Sequence, residues 1–229
     1  MTGFDLIIFD CDGVLVDSEI IAAQLEAKLL TDAGFPIDAT EMVERYAGMD
    51  WKSILLAVEK EASIPLQASL LERSEQLLDE KLAKSVKAIP GVPQAISRLP
   101  YKRCICSNSS SRRLDSMLKR TGYINLFAPN IFSAVEVADK RTKPAPDVFV
   151  HAAEQMQADV GKTIVIEDSV HGIAGAKAAG MRVIGFTGAS HSYPSHADHL
   201  TQAGAETVIN RMMDLPAVVE ALSGWSADL

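Results

Sequence analysis

Four polar clusters, three of them directly following a short apolar run and the fourth reached through a loop, hold the residues of this chain able to do chemistry. Asp10, Asp12 and Gly13 follow residues 5–9 (DLIIF), and Ser107, Asn108 and Ser109 follow residues 103–106. Lys143-Pro144 lies beyond the run near residue 131, and Glu167, Asp168 and Ser169 follow residues 163–166. Phosphoryl transfer requires an in-line nucleophile, a divalent cation and donors around the equatorial oxygens. A carboxylate such as Asp10 can attack phosphorus and form an aspartyl phosphate. Nucleophile and phosphate are both anions, so a cation must join them; magnesium prefers oxygen ligands, which Asp10 and Asp168 can supply. Lys143 adds a point charge able to hold Asp10 and the phosphate together. Ser107 and the N–H groups after it, near a helix start, can receive a phosphate oxygen. Asp12 can reach the leaving oxygen as general acid and later act as base toward water.

Each cluster taken singly has a plainer reading. Asp-Gly after a strand makes a turn, Ser107–Ser109 and Glu167–Ser169 can cap helices, and Lys143 can be a solvated loop charge. The shared reading gains force because all four clusters fall at strand ends, where open α/β sheets bind ligands.

The elements that must position these clusters follow from the apolar pattern. Residues 5–9 read as a strand buried on both faces. Ser18 is a candidate N-cap for a helix in which Ile21, Leu25 and Leu29 recur every fourth residue, stopped by Gly34 and Pro36. Helical spacing without strands continues through 42–46, 51–61 and 66–82, punctuated by Gly48 and Ile64-Pro65. After Pro90-Gly91 short apolar runs at 103–106, 130–132, 163–166, 182–186 and 207–209 alternate with helical stretches near 92–99, 110–121, 145–157, 170–179, 196–203 and 213–222. This alternation predicts an α/β fold with a doubly wound, Rossmann-like parallel sheet. The expected organisation is an α/β core of residues 1–16 and 86–229, with an all-helical cap, 17–85, inserted after the first strand.

These residues resemble the four ordered motifs of the haloacid dehalogenase superfamily. The resemblance is carried by residues 10–19 (DCDGVLVDSE), Ser107-Asn108-Ser109, residues 143–147 (KPAPD) and residues 167–172 (EDSVHG), and spans roughly 1–16 and 86–190. It implies Asp10 as nucleophile, Asp12 as acid/base with its backbone carbonyl on magnesium, and Ser107 and Lys143 as phosphate holders. Gly13 and Asn108 join them on the phosphate and substrate side. Asp168 falls on the metal, with Glu167 a ligand or just behind one. The insertion resembles the small helical cap of the β-phosphoglucomutase-like subgroup, which closes over the site and excludes water.

Within that subgroup the chain looks most like bacterial sugar-phosphate phosphatases of the 6-phosphogluconate phosphatase type. The supporting stretches are residues 9–19 (FDCDGVLVDSE), 46–49 (YAGM), 149–153 (FVHAA) and 167–181. Glu167 stands where many such phosphatases carry aspartate, as also occurs in the mutase branch. The segment after Gly48 lacks the valine-serine-arginine stretch associated with the mutases. Asp12 argues against a dehalogenase, whose chemistry needs no leaving-group acid. The expected activity is therefore magnesium-dependent hydrolysis of a small sugar-type phosphomonoester, 6-phosphogluconate being one candidate. The alternatives are a phosphomutase, for which Arg45 and Lys52 are the nearby basic candidates, and, more distantly, a phosphoacceptor signalling domain, which the helical insertion and Asp12 fit poorly.

Composition narrows partners and compartment. A formal net charge of −8 over 229 residues argues against nucleic acid held through its phosphates. No apolar run is long enough to span a bilayer and no signal peptide is seen, so no membrane partner is expected. Three cysteines without framework spacing fit a reducing cytoplasm, and Cys104 and Cys106 read as buried strand residues. A small phosphorylated metabolite is the expected partner; the oligomeric state is open, and a monomer is compatible. His191, His196 and His199 are read as exposed loop histidines, not as a zinc site. His171 and Trp51 have packing and site-lining readings, and Asp17 and Glu19 are candidate hinge or capping residues.

Overall fold

The first strand, β1 (Leu6–Phe9), is buried at every position because both of its faces are covered. Ile7 and Phe9 point to one apolar cluster, and Leu6 and Ile8 to another on the opposite side. The same alternation runs through β2 (Lys102–Ser107), β3 (Ile131–Ser133), β4 (Thr163–Glu167), β5 (Arg182–Phe186) and β6 (Thr207–Ile209). In this computed structural model, which describes residues 3–46, 49, 51–62, 69–137 and 139–224, the six strands form one sheet in the order β3-β2-β1-β4-β5-β6. All pairings are parallel, so helices must cross over the faces, and the order is that of a doubly wound fold.

Between β1 and β2 come α1 (Glu19–Asp32), α2 (Ala39–Arg45), α3 (Trp51–Ala62), α4 (Ser69–Ser85) and the short α5 (Val92–Ile96). Helices α1 to α3 enclose their own apolar cluster, with Leu30, Met42, Ile54 and Val58 inside it. Two chain passages join this helical block to the sheet and run antiparallel: Asp17 N–H donates to Lys87 O at 2.9 Å and Ile89 N–H to Leu15 O at 2.9 Å. The block also touches the core through Arg113, whose guanidinium donates to Glu75 at 2.6 Å and Asp79 at 2.5 Å, both on α4. Trp51 packs against the block's own apolar cluster. The expected punctuation at Gly48 and Ile64-Pro65, and residues 47, 50 and 66–68 of the quoted segments, lie outside the described residues.

The remaining helices are α6 (Ser111–Thr121), α7 (Ile124–Phe127), α8 (Asp147–Met156), α9 (Val170–Ala178), α10 (His196–Ala203) and α11 (Leu215–Gly224). Strand expectations hold to within a residue, and Cys104 and Cys106 are fully buried on β2. Helix ends differ where local chemistry intervenes. The helix expected from residue 145 starts at Asp147, because Pro146 takes the position before its first turn. The last helix starts later than expected, after a 3₁₀ turn at Met212–Asp214. The single turn of α7 was not anticipated; it follows Gly122, which ends α6 in the left-handed region at φ 77°.

Glu26 on α1 makes a testable contribution to this fold. Burial, then Glu19 and Glu75, raise its carboxyl to about 8. The folded chain then holds this proton more tightly than the unfolded chain, so the ionised group opposes folding above the usual glutamate range. Glu26→Gln is expected to raise Tm at pH 8.5 by about 2–4 °C, the shift for roughly 1 kcal/mol in a chain of this size. At pH 4, where Glu26 is mostly protonated in both states, the shift should shrink to a small fraction of this. Equal shifts at both pH values would show that charge is not the cause.

Candidate active site

β1 is the central strand, flanked by β2 and β4, so the residue after it lies between two other strand ends. Asp10 N–H donates to Ile166 O at 2.9 Å, which sets Asp10 beside Glu167. Lys143, from the loop after β3, reaches in from the other side. Its Nζ donates to Asp10 Oδ1 at 2.6 Å, to Glu167 Oε2 at 2.8 Å and to Cys106 O at 2.8 Å. All three ammonium hydrogens are thus used, and the residue is only 7% exposed, so the solvated-loop reading of Lys143 is wrong. Burial alone would lower its pKa, but Asp10 and Glu167 outweigh burial and hold it above the ordinary lysine range.

Asp10, Glu167 and Asp168 are all buried, and one ligand oxygen from each lies within 4.8 Å of the others. Burial first, then repulsion from Glu167, pushes the carboxyls of Asp10 and Asp168 well above their ordinary values. Three buried carboxylates face one lysine, an excess of negative charge that oxygen-seeking divalent cations neutralise. The donor set therefore fits such an ion. The two oxygens of Glu167 are already engaged: Oε2 by Lys143, and Oε1 by the Ser169 N–H at 3.2 Å and hydroxyl at 2.8 Å. A divalent cation bound here at about 100 times its Kd would add roughly 2.7 kcal/mol of stability. The expected result is a Tm higher by about 5–10 °C in magnesium than in EDTA; identical melting curves would leave the acidic triad without a cation.

Asp12 is held by three hydroxyls. Ser18 donates to Oδ1 at 2.7 Å, while Ser107 and Ser109 donate to Oδ2 at 3.0 and 2.9 Å. Ser18 was expected to cap α1; it occupies that position but makes no side-chain cap bond and turns to Asp12 instead. Asn108 supports Lys143, its Oδ1 accepting from the Lys143 N–H at 2.9 Å. The capping expected of the Ser107–Ser109 stretch falls to Ser110, which accepts from Arg113 N–H, whereas Ser169 does cap α9. Gly13 sits at φ 71° with its N–H donating to Val16 O at 2.8 Å. A Cβ at Gly13 would fall 1.8 Å from Asp168 Oδ2, so glycine is required for the loop and the carboxylate to coexist. Gly172 does the same for Glu167, whose carboxyl carbon would lie 2.0 Å from an added Cβ.

The histidine expectation needs correction. His196 is buried, with Nε2 2.7 Å from Asp168 O, and His191 Nε2 lies 3.1 Å from Asp168 Oδ2. Burial holds both rings below the ordinary histidine value. His199 pairs with the Tyr193 hydroxyl at 2.9 Å, and His171 is exposed. Asp17 accepts from the N–H and hydroxyl of Ser190, tying the crossover to the loop after β5. Arg45 is occupied within the helical block by Glu41 and Glu61 and by the rings of Phe35 and Tyr46, and Lys52 is exposed. The clefts of about 320 Å³ beside α4 and α6, and beside Tyr101 and Met156, contain none of these acidic residues.

Comparison with known proteins agrees with this arrangement. The 6-phosphogluconate phosphatase of Escherichia coli (strain K12) is 29% identical over 199 residues, which is 85% of this chain and 87% of that protein. A haloacid dehalogenase-like protein of unknown function from Agrobacterium tumefaciens str. C58 superimposes with a TM-score of 0.93 at 66% identity, covering 96% of this chain and all of that one. A HAD family hydrolase from Deinococcus radiodurans R1, solved with bound phosphate and sodium, gives a TM-score of 0.82 at 30% identity, with full coverage of both chains. Residues 7–186 match the family described as haloacid dehalogenase-like hydrolase, and with the strand-end carboxylates and buried lysine in place the chain belongs to that family.

Proposed function

We propose that this enzyme is a magnesium-dependent phosphomonoesterase acting on a small sugar-type phosphate, with 6-phosphogluconate as the first candidate. The observation that carries the reading is Lys143 Nζ bonded to Asp10 Oδ1 at 2.6 Å inside the cluster of Asp10, Glu167 and Asp168. Bound magnesium would be held by Asp10, Asp168 and the Asp12 carbonyl, and would offset the repulsion between Asp10 and the phosphate. Glu167, already committed to Lys143 and Ser169, would support the ligands from behind.

In the proposed reaction an Asp10 oxygen forms a bond to phosphorus as the ester P–O bond breaks. The departing alkoxide takes a proton from Asp12. Asp12 then accepts a proton from water as that water attacks the aspartyl phosphate, releasing inorganic phosphate and restoring Asp10. Lys143 would keep Asp10 oriented and balance charge at the phosphate, and Ser107 and Gly13 would receive phosphate oxygens. Helices α1–α4 would act as the cap over this crevice, with residues 15–17 and 87–89 as the crossover.

The sugar-phosphate assignment draws on the Escherichia coli relative, and the phosphate bound in the Deinococcus radiodurans neighbour supports the anion site. The deciding experiment is a phosphate-release screen over sugar phosphates, polyol phosphates, nucleotides and 6-phosphogluconate, with magnesium or EDTA. Magnesium-dependent release with the highest kcat/KM on 6-phosphogluconate is expected. An isomerised sugar phosphate appearing faster than free phosphate would replace hydrolysis with mutase chemistry, and no release from any ester would remove the reading altogether.

A further inference from the structure

We propose that His191 and His196 are positioning residues that lock Asp168 in the orientation needed to bind a divalent cation. This rests on the metal-site reading above and goes beyond it, since it assigns to the loop after β5 a role in metal affinity.

Asp168 is gripped from two directions. A carbonyl oxygen can only accept, so the 2.7 Å contact between His196 Nε2 and Asp168 O places a hydrogen on Nε2 and fixes the backbone of the proposed ligand. The His196 ring is itself fixed. Its Nδ1 lies 3.1 Å from Ser192 Oγ, whose single hydrogen can serve either that nitrogen or Thr187 O at 2.8 Å, and Tyr193 stacks on the ring at 4.8 Å with the planes 15° apart. His191 packs edge-on against His196 at 5.5 Å and meets the carboxylate itself, Nε2 to Oδ2 at 3.1 Å. His191 thus sits directly against one of the two oxygens of the Asp168 carboxylate.

Two further observations show the arrangement to be built in. An added Cβ at Gly13 would meet both Asp168 Oδ2 at 1.8 Å and His191 Cε1 at 2.9 Å, so the loop after β1 leaves room for this pair together. The loop that carries His191 is anchored one residue earlier, where Ser190 donates twice to Asp17. Hydrogen-bond partners that orient metal ligands commonly account for 10–100-fold in metal affinity. A ring that only filled space would leave metal affinity alone.

The test is direct Mn2+ binding by electron paramagnetic resonance on the full chain, alongside melting curves and p-nitrophenyl phosphate turnover at saturating Mn2+. His191→Ala and His196→Ala are expected to weaken Mn2+ binding by about tenfold while kcat at saturating metal stays within about threefold of wild type. His196→Gln, which keeps an N–H donor, should recover most of the lost affinity. Should His196→Ala fail to fold, His191→Ala on the loop and His196→Gln carry the comparison. Wild-type affinity in the histidine variants, with binding lost in Asp168→Asn, would overturn the positioning role and leave the metal site standing. Absence of Mn2+ binding by the wild-type protein would overturn both.

Discussion

Asp10→Asn is expected to lower magnesium-dependent phosphate release from a generic ester by about 10⁴-fold or more, or at least ~5.5 kcal/mol of activation free energy. An amide oxygen is a poor nucleophile toward phosphorus, and no other described carboxylate holds the same place after the central strand. The fold should survive. Asp10 is a buried acid whose ionised form is disfavoured by desolvation and by Glu167, although Lys143 offsets part of this. Replacing it removes a like charge, so melting at neutral pH should match or exceed wild type. Turnover within tenfold of wild type would exclude Asp10 as nucleophile, and a normal melting curve with no turnover separates lost chemistry from misfolding.

Lys143→Met should damage both fold and activity. The ammonium is the shared partner of Asp10 and Glu167, each buried and within 2.8 Å of it. Removing one member of a buried ion network leaves charge uncompensated and costs about 3–5 kcal/mol, a Tm drop of roughly 10 °C for a chain of this size. Activity should fall by about 10³-fold or more, because Asp10 loses its orienting donor and the phosphate a positive charge. The sign of the linkage is set by the raised lysine pKa. The stabilisation is complete at every pH below the ordinary lysine value and declines only as pH rises through the higher folded value. Part of the variant's lost stability should return as pH is lowered and the stranded carboxylates take up protons. A variant that melts like wild type at neutral pH would mean the three-way ion pair does not hold the site together.

The helical block bears on specificity through what it lacks. Arg45, the basic candidate for gripping a second phosphate, is neutralised by Glu41 and Glu61, and Lys52 projects into solvent. Neither of these two residues is therefore arranged to grip a second phosphate.

Much of the catalytic edge was legible before any coordinates. Parallel strands buried on both faces read as unbroken apolar runs, so β1, β4 and β5 could be placed within a residue, and the polar residues that follow them had to share one edge of the sheet. Residue type and order alone thus brought together Asp10, Ser107, Lys143, Glu167 and Asp168. What tertiary structure decided were partnerships between residues far apart in the chain: Ser109 with Asp12 across 97 positions, Asn108 with the Lys143 N–H across 35, Ser190 with Asp17 across 173, and His196 with the Asp168 carbonyl across 28. Ser18 misled because a serine before a helix has a local use, and the nearby Asp12 carboxylate, partly shielded from water, competes successfully for its hydroxyl. The histidines misled for the converse reason. Periodicity reports which residues share a face of their own element, but not that the loop after β5 folds back over the end of β4.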